Sequence, residues 1–154
     1  MDVTTEPAAI ERELTIGARP ETVWEFLVDP EKAVRWMGRS VAIDPRPGGE
    51  YRVDVISGDT ALGEVVEVDP PRRLVLTWGW MVGVRSSVPP GSTTVEFELV
   101  PDGDGTLLRF RHDRLPDADA FAAHAHGWDH YLERLEIAAA GGDPGRDPWL
   151  DGVM

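Results

Sequence analysis

The spacing of apolar residues changes twice along the chain, and the changes mark out its elements. From Ile10 to Ile16 apolar and polar positions alternate, with Ile10, Leu14 and Ile16 on one face and Glu11, Glu13 and Thr15 on the other, which is the period-two signature of a strand. Gly17 breaks the pattern. Pro20 at a first helical position, followed by Glu21, opens a short helix striped by Val23, Phe26 and Leu27, with Trp24 at its edge. Asp29, Pro30 and Glu31 restart a second short helix as N-cap, first-turn proline and acidic first turn, and it runs to Trp36 and Met37 before Gly38 stops it. Six strand segments follow: residues 41–43, 51–56, 62–68, 74–80, 93–100 and 107–112. Turn chemistry separates them at residues 45–49, 57–59, 69–71, 89–91 and 102–105. Connections this short between consecutive strands predict an antiparallel meander. The period then returns to that of a helix. From about Pro116 and Asp117 onward, Phe121, Ala125, Trp128, Leu132, Leu135 and Ala139 step by four and three residues along one face, and Gly141 and Gly142 end the run.

A sheet and one apolar-striped helix must bury each other. The expected fold class is therefore α+β in two layers: a curved antiparallel sheet of about seven strands wrapped on a long C-terminal helix, with two short helices after the first strand. A single domain over residues 8–141 is expected, with residues 1–7 and 142–154 as flexible tails. A strongly curved sheet and a straight helix diverge at one end, so a lined cavity is expected between them.

Composition narrows the function classes. Among 154 residues, 15 Lys and Arg stand against 28 Asp and Glu, for a net charge of −13, which repels phosphate backbones and anionic lipid headgroups. Neither nucleic acid nor a membrane is expected as a partner. The absence of cysteine excludes disulfides, thiolate metal sites and thiol nucleophiles. The N-terminus lacks the basic and apolar regions of a signal peptide, and the longest uncharged stretch, residues 74–84, is too short to span a bilayer, so a cytoplasmic location is expected. There is no Asn or Gln, and Lys32 is the only lysine beside 14 arginines, a pattern that fits GC-rich coding of a bacterial type.

The segments PETVWEFLVDPEKAVRW, PRPGGEYRV, GEVVEVDPPRRLVLTW, STTVEFELVPDGDGTLLRFRHDRL and HGWDHYLERL, in this order, resemble the SRPBCC superfamily, and within it the branch related to the C-terminal domain of the activator of heat-shock protein 90 ATPase. The resemblance covers nearly the whole domain. It implies a START/Bet v-like helix-grip fold and three possible activities: binding of a small lipophilic or aromatic ligand in the internal cavity, chemistry of the polyketide cyclase, aromatase or hydrolase kind with a cavity histidine moving a proton, or a chaperone-activator-like interaction module. Ligand binding is the leading expectation, with no cofactor and a monomer or homodimer as the assembly.

The residues themselves supply the candidates. Trp36, Tyr51, Trp78, Trp80, Phe97, Phe110 and Trp128 form an aromatic set that can line such a cavity or simply fill the core. Trp78 and Trp80 share a strand face, and Trp128 lies centrally in the helical stripe opposite them. His112 alternates with Leu108 and Phe110 and so faces inward, where a neutral imidazole can orient a ligand or act as a base; His124 lies at the edge of the stripe and can meet the same cavity. These two are the candidate catalytic residues and also join the ligand-binding set. His126 and His130, four apart with Asp129 nearby, share a helical face opposite the stripe; they lack the further ligands zinc needs and are read as solvated, so no metal site is expected. Glu96, Glu98, Arg109 and Arg111 alternate with Phe97 and Phe110 and are read as cross-strand pairs on the outer face, while Glu64 and Asp54 fit either face. None of the five serines lies in a G-x-S-x-G turn, and Gly48-Gly49 lies between strands, not before a helix.

Overall fold

The computed structural model describes residues 9–56, 59–81 and 87–151. Seven strands, β1 (Ile10–Ile16), β2 (Ser40–Ile43), β3 (Glu50–Ile56), β4 (Asp59–Asp69), β5 (Arg73–Trp78), β6 (Thr93–Asp102) and β7 (Gly105–Asp113), form one curved antiparallel sheet in the order β1-β7-β6-β5-β4-β3-β2. The six later strands form the meander, and β1 closes on the last of them with Ile10 opposite His112 and Ile16 opposite Thr106. Register shifts in β3 between Asp54 and Ile56, and between Val65 and Glu67 against β5, mark bulges. Bulges bend strands and strengthen their twist, and these bend the half of the sheet built from β3, β4 and β5.

The helices start where the sequence signals them. Pro20 is the first residue of α1 (Pro20–Val28); Asp29 caps α2 (Pro30–Ala33) by accepting from Glu31 N; Asp117 caps α3 (Ala118–Ala139) by accepting from Ala120 N at 2.7 Å. The buried face of α3 carries Ala120, His124, Trp128, Tyr131, Leu132, Leu135, Ala138 and Ala139. This is the expected stripe turned slightly, since Phe121 and Ala125 sit at its edge and Tyr131 joins it. No described helix is long and apolar enough to cross a membrane.

The outer face of the sheet is the expected charged ladder. Arg109 pairs with Glu13 at 3.0 Å and Glu98 at 3.4 Å, and Arg111 with Glu11 at 2.7 Å. Asp54 accepts from Ser40 and Thr60, which hold its carboxyl below the usual range, and Glu64 is exposed; neither borders the cavity described below.

Residues 143–151, within the stretch expected as a C-terminal tail, lie against α3. The chain turns at Gly141 (φ 95°), runs back along α3 and ends in a short 3-10 turn, Pro148–Asp151. Arg134 donates to the carbonyls of Pro144 and Gly145, and the buried Asp147 accepts from His130 Nε2 at 2.8 Å. The remaining tail expectations, at residues 1–7 and 152–154, fall outside the described residues, as do Ser57 and Gly58 of one expected turn.

Candidate functional site

Near the first half of α3, the helix and the curved sheet leave a cavity of about 140 Å³. Val55 and Ile56 of β3, Trp78, Trp80, Met37 and the α3 residues His124, Trp128 and Tyr131 line it, together with Trp149 of the C-terminal segment. The strand β5 ends at Trp78. Gly79 then passes so close to the backbone of Pro89 that any side chain there would collide with the Pro89 carbonyl, and this crossing places Trp80 to bond Val88 O through its own amide. The two indoles meet edge to face, centroids 5.5 Å apart, and Trp128 reaches Trp78 from the helix at 5.1 Å. Gly127 also borders the cavity, and a Cβ there would meet nothing within 4 Å.

Below the cavity the core is closed. Phe97 meets Phe110 edge to face at 5.3 Å and Phe110 meets Trp128 in a tilted contact at 4.6 Å, Trp36 donates to the Phe26 carbonyl at 2.7 Å, and Tyr51 lies 6.1 Å from Trp78. Of the nine residues expected to line a ligand site, Trp78, Trp80, His124 and Trp128 border the cavity. Trp36, Tyr51, Phe97, Phe110 and His112 are buried without bordering it. Sequence could not separate the two groups, because inward-facing aromatics look alike whether the space beyond them is filled or empty. Met37, Val55, Ile56, Ala123, His126, Gly127, Tyr131 and Trp149 also border the cavity and are not among the expected residues, the helical wheel placing His126 on the face away from it; a glycine in the middle of a long helix, unfavourable by about 1 kcal/mol relative to alanine, is the one local signal that marks the spot.

His112 is fully buried and bonded at both ring nitrogens. Trp128 Nε1–H donates to its Nδ1 at 2.9 Å, which leaves its own proton on Nε2, 2.8 Å from the Thr93 hydroxyl; that hydroxyl donates in turn to the Trp78 carbonyl at 2.7 Å. The chain indole, imidazole, hydroxyl, carbonyl is complete with a neutral ring and fails with a charged one, because an Nδ1–H would face the Trp128 N–H. Burial, with the His124 ring adding to it, pushes the His112 pKa down to about 3. His124 is placed by the same logic: Trp80 Nε1–H donates to its Nε2 at 2.9 Å, and its Nδ1 lies 2.7 Å from the Ala120 carbonyl. The two imidazoles therefore brace the tryptophans that shape the cavity.

Two buried donors among the wall residues lack a hydrogen-bond partner among the described residues: Trp78 Nε1 and the Tyr131 hydroxyl. Burial, reinforced by the Asp147 carboxylate, raises the Tyr131 pKa well above the usual tyrosine value and keeps the phenol a donor. An unmet buried donor costs about 1–3 kcal/mol.

Of the pair expected to be solvated, His126 is exposed, with Trp149 5.2 Å from its ring, whereas His130 is half-buried: Trp149 lies flat on it at 3.7 Å and 6°, and its Nε2 bonds Asp147.

Comparison with known proteins agrees with this architecture. The family model described as Activator of Hsp90 ATPase homolog 1-like protein matches residues 17–140. The solution structure of an AHSA1-like protein from Rhizobium etli is 43% identical over 92% of this chain and 88% of its own, with a TM-score of 0.71. The crystal structure of CalU16 from Micromonospora echinospora is 26% identical over 86% of this chain and 76% of its own, TM-score 0.68. The Aha1 dimer from Colwellia psychrerythraea, 20% identical over 88% of this chain and 98% of its own with a TM-score of 0.74, shares the fold. No curated protein matches. With the matched residues running from Gly17 to Ala140, through every element but the first strand and the last turn, the chain belongs to the family of Activator of Hsp90 ATPase homolog 1-like proteins within the SRPBCC helix-grip fold.

Proposed function

We propose that the protein binds a small planar aromatic molecule carrying a hydrogen-bond acceptor, held in the cavity between β3, β5 and α3. The observation that carries this reading is an unfilled space of about 140 Å³ walled by Trp78, Trp80, Trp128 and Tyr131. A dry apolar cavity of roughly 150 Å³ is enough to hold benzene. Offset and edge-on aromatic contacts add about 0.5–1.5 kcal/mol per pair beyond burial. The unmet Trp78 N–H and Tyr131 hydroxyl favour a ligand with a carbonyl or similar acceptor, reached by a small shift of the wall.

Proton-transfer chemistry of the cyclase kind is supported less well, because both nitrogens of His112 and of His124 are already engaged. An interaction module has less support too: only three large apolar residues among those described are exposed, Val66 on β4, Met81 beyond the end of β5 and Ile137 on α3.

The test is thermal unfolding of the purified protein across one-ring and two-ring aromatic ketones, fatty acids and sterols. A ligand at one hundred times its Kd adds ~2.7 kcal/mol, a rise of roughly 5–10 °C for a domain of this size. A shift confined to small aromatics supports the proposal. A shift only with sterols or fatty acids, or none at all, refutes it.

A further inference from the structure

The cavity is not closed by the matched domain alone. Its outer wall is Trp149, which lies beyond residues 17–140 on the segment that folds back after α3. From His130 and His126 on α3 this segment crosses to β3, against which its 3-10 turn packs. Trp149 is half-buried, one face on the imidazoles and its edge toward Tyr131, 5.4 Å away.

What holds the strap differs in kind from what holds the other walls. Strands and α3 are fixed by ladders of backbone bonds and fully buried side chains. The strap is fixed by a few polar contacts: Arg134 joins the Pro144 and Gly145 carbonyls to those of Arg35 and Trp36, and Asp147 accepts from His130 Nε2 and from Trp149 N at 2.9 Å. The 3-10 turn that carries Trp149 buries none of its residues. Segments with few buried apolar contacts open at low free-energy cost, well below that of global unfolding.

We infer that residues 143–151 are the gate and outer specificity wall of the cavity: Trp149 stacks on the bound ring from the solvent side, limits the ligand to a single ring, and swings out with the strap to admit it. The Asp147 carboxylate, bridging His130 and the Trp149 amide, is the latch. This inference rests on the aromatic-ligand reading above.

Acetophenone and 2-acetylnaphthalene serve as one-ring and two-ring probes, with affinity measured by calorimetry and rates by stopped-flow tryptophan fluorescence on the full chain. In Trp149→Ala the affinity ratio of the two-ring to the one-ring probe is expected to rise roughly tenfold, the removed wall costing the small ring its stacking partner and giving the large one room. In Asp147→Ala the ratio is expected to stay near that of the parent, because the wall remains, while association and dissociation both become several-fold faster. Trp149→Phe, which keeps an aromatic wall, replaces the alanine variant if circular dichroism shows that the latter is unfolded, and is expected to give a smaller shift in the same direction. If the parent protein binds acetophenone and neither the ratio nor the rates change in the variants, the gate is refuted and the cavity reading stands. Binding seen in Asp147→Ala but not in the parent supports the gate. If parent and variants alike bind neither probe, both readings fall.

Discussion

His112 decides whether the layer behind the cavity wall is a brace or a reactive centre, and proton linkage separates the two. The perturbation is a fall in pH. A folded-state pKa of about 3 against an ordinary 6.5 means that the unfolded chain takes up a proton on this ring that the folded chain refuses. The group therefore costs nothing above pH 6.5 and destabilises the fold as pH falls from there toward 3, by up to 1.36 kcal/mol per unit. Between pH 7.5 and pH 5 the loss amounts to about 2 kcal/mol from this residue alone. Other histidines and the carboxylates also titrate, so the useful quantity is the difference between the parent and His112→Gln, in which an amide can still bond Trp128 and Thr93. Urea unfolding at pH 7.5, 6 and 5 is expected to show the parent losing about 2 kcal/mol more than the variant across that interval. Nitrogen-detected NMR is expected to show the His112 proton on Nε2, unchanged over the same range. A ring that titrates near pH 6 to 7, or equal slopes in the two proteins, would refute the reasoning and restore His112 as a candidate base.

The remaining predictions concern the helix side of the site. Gly127→Ala is expected to stabilise the protein by up to about 1 kcal/mol, since the helix gains propensity and the new Cβ meets nothing, whereas Gly127→Leu is expected to fill the cavity and abolish any thermal shift by acetophenone; destabilisation by alanine, or a shift unaffected by leucine, would contradict the cavity geometry. Trp128→Phe removes the donor to His112 Nδ1 and should cost about 1–3 kcal/mol in urea unfolding for the stranded acceptor, with the His112 pKa moving upward by NMR as the opposing N–H disappears.

The local rules read most of the fold directly. Alternation at Ile10–Ile16 and across the meander, the proline and acid at Pro20 and Glu21, the Asp117 cap, and the four-three stepping of Trp128, Leu132 and Leu135 each depend on contacts within a few residues, and the elements formed where those rules put them. The inward turn of His112 followed from the same period of two. The cation and carboxylate ladder of Glu98 with Arg109 followed from counting faces.

The boundary between filled core and open cavity was decided by tertiary structure. Phe110 and Trp78 are both inward-facing aromatics on β-strands, and only the bulges in β3 and β4, the crossing at Gly79 and the missing side chain at Gly127 place empty space beside one and not the other. The roles of the histidines depend in the same way on partners far away in sequence: Trp128 and Thr93 for His112, Trp80 for His124, Asp147 and Trp149 for His130. By composition the C-terminal residues read as tail, rich in Gly, Pro and Asp, and what places residues 143–151 against α3 is Arg134, whose guanidinium donates four hydrogen bonds to the carbonyls of Arg35, Trp36, Pro144 and Gly145, together with Asp147 on His130. Short-range periodicity fixes which way a residue faces. What it faces depends on chain brought from elsewhere, which no local pattern encodes.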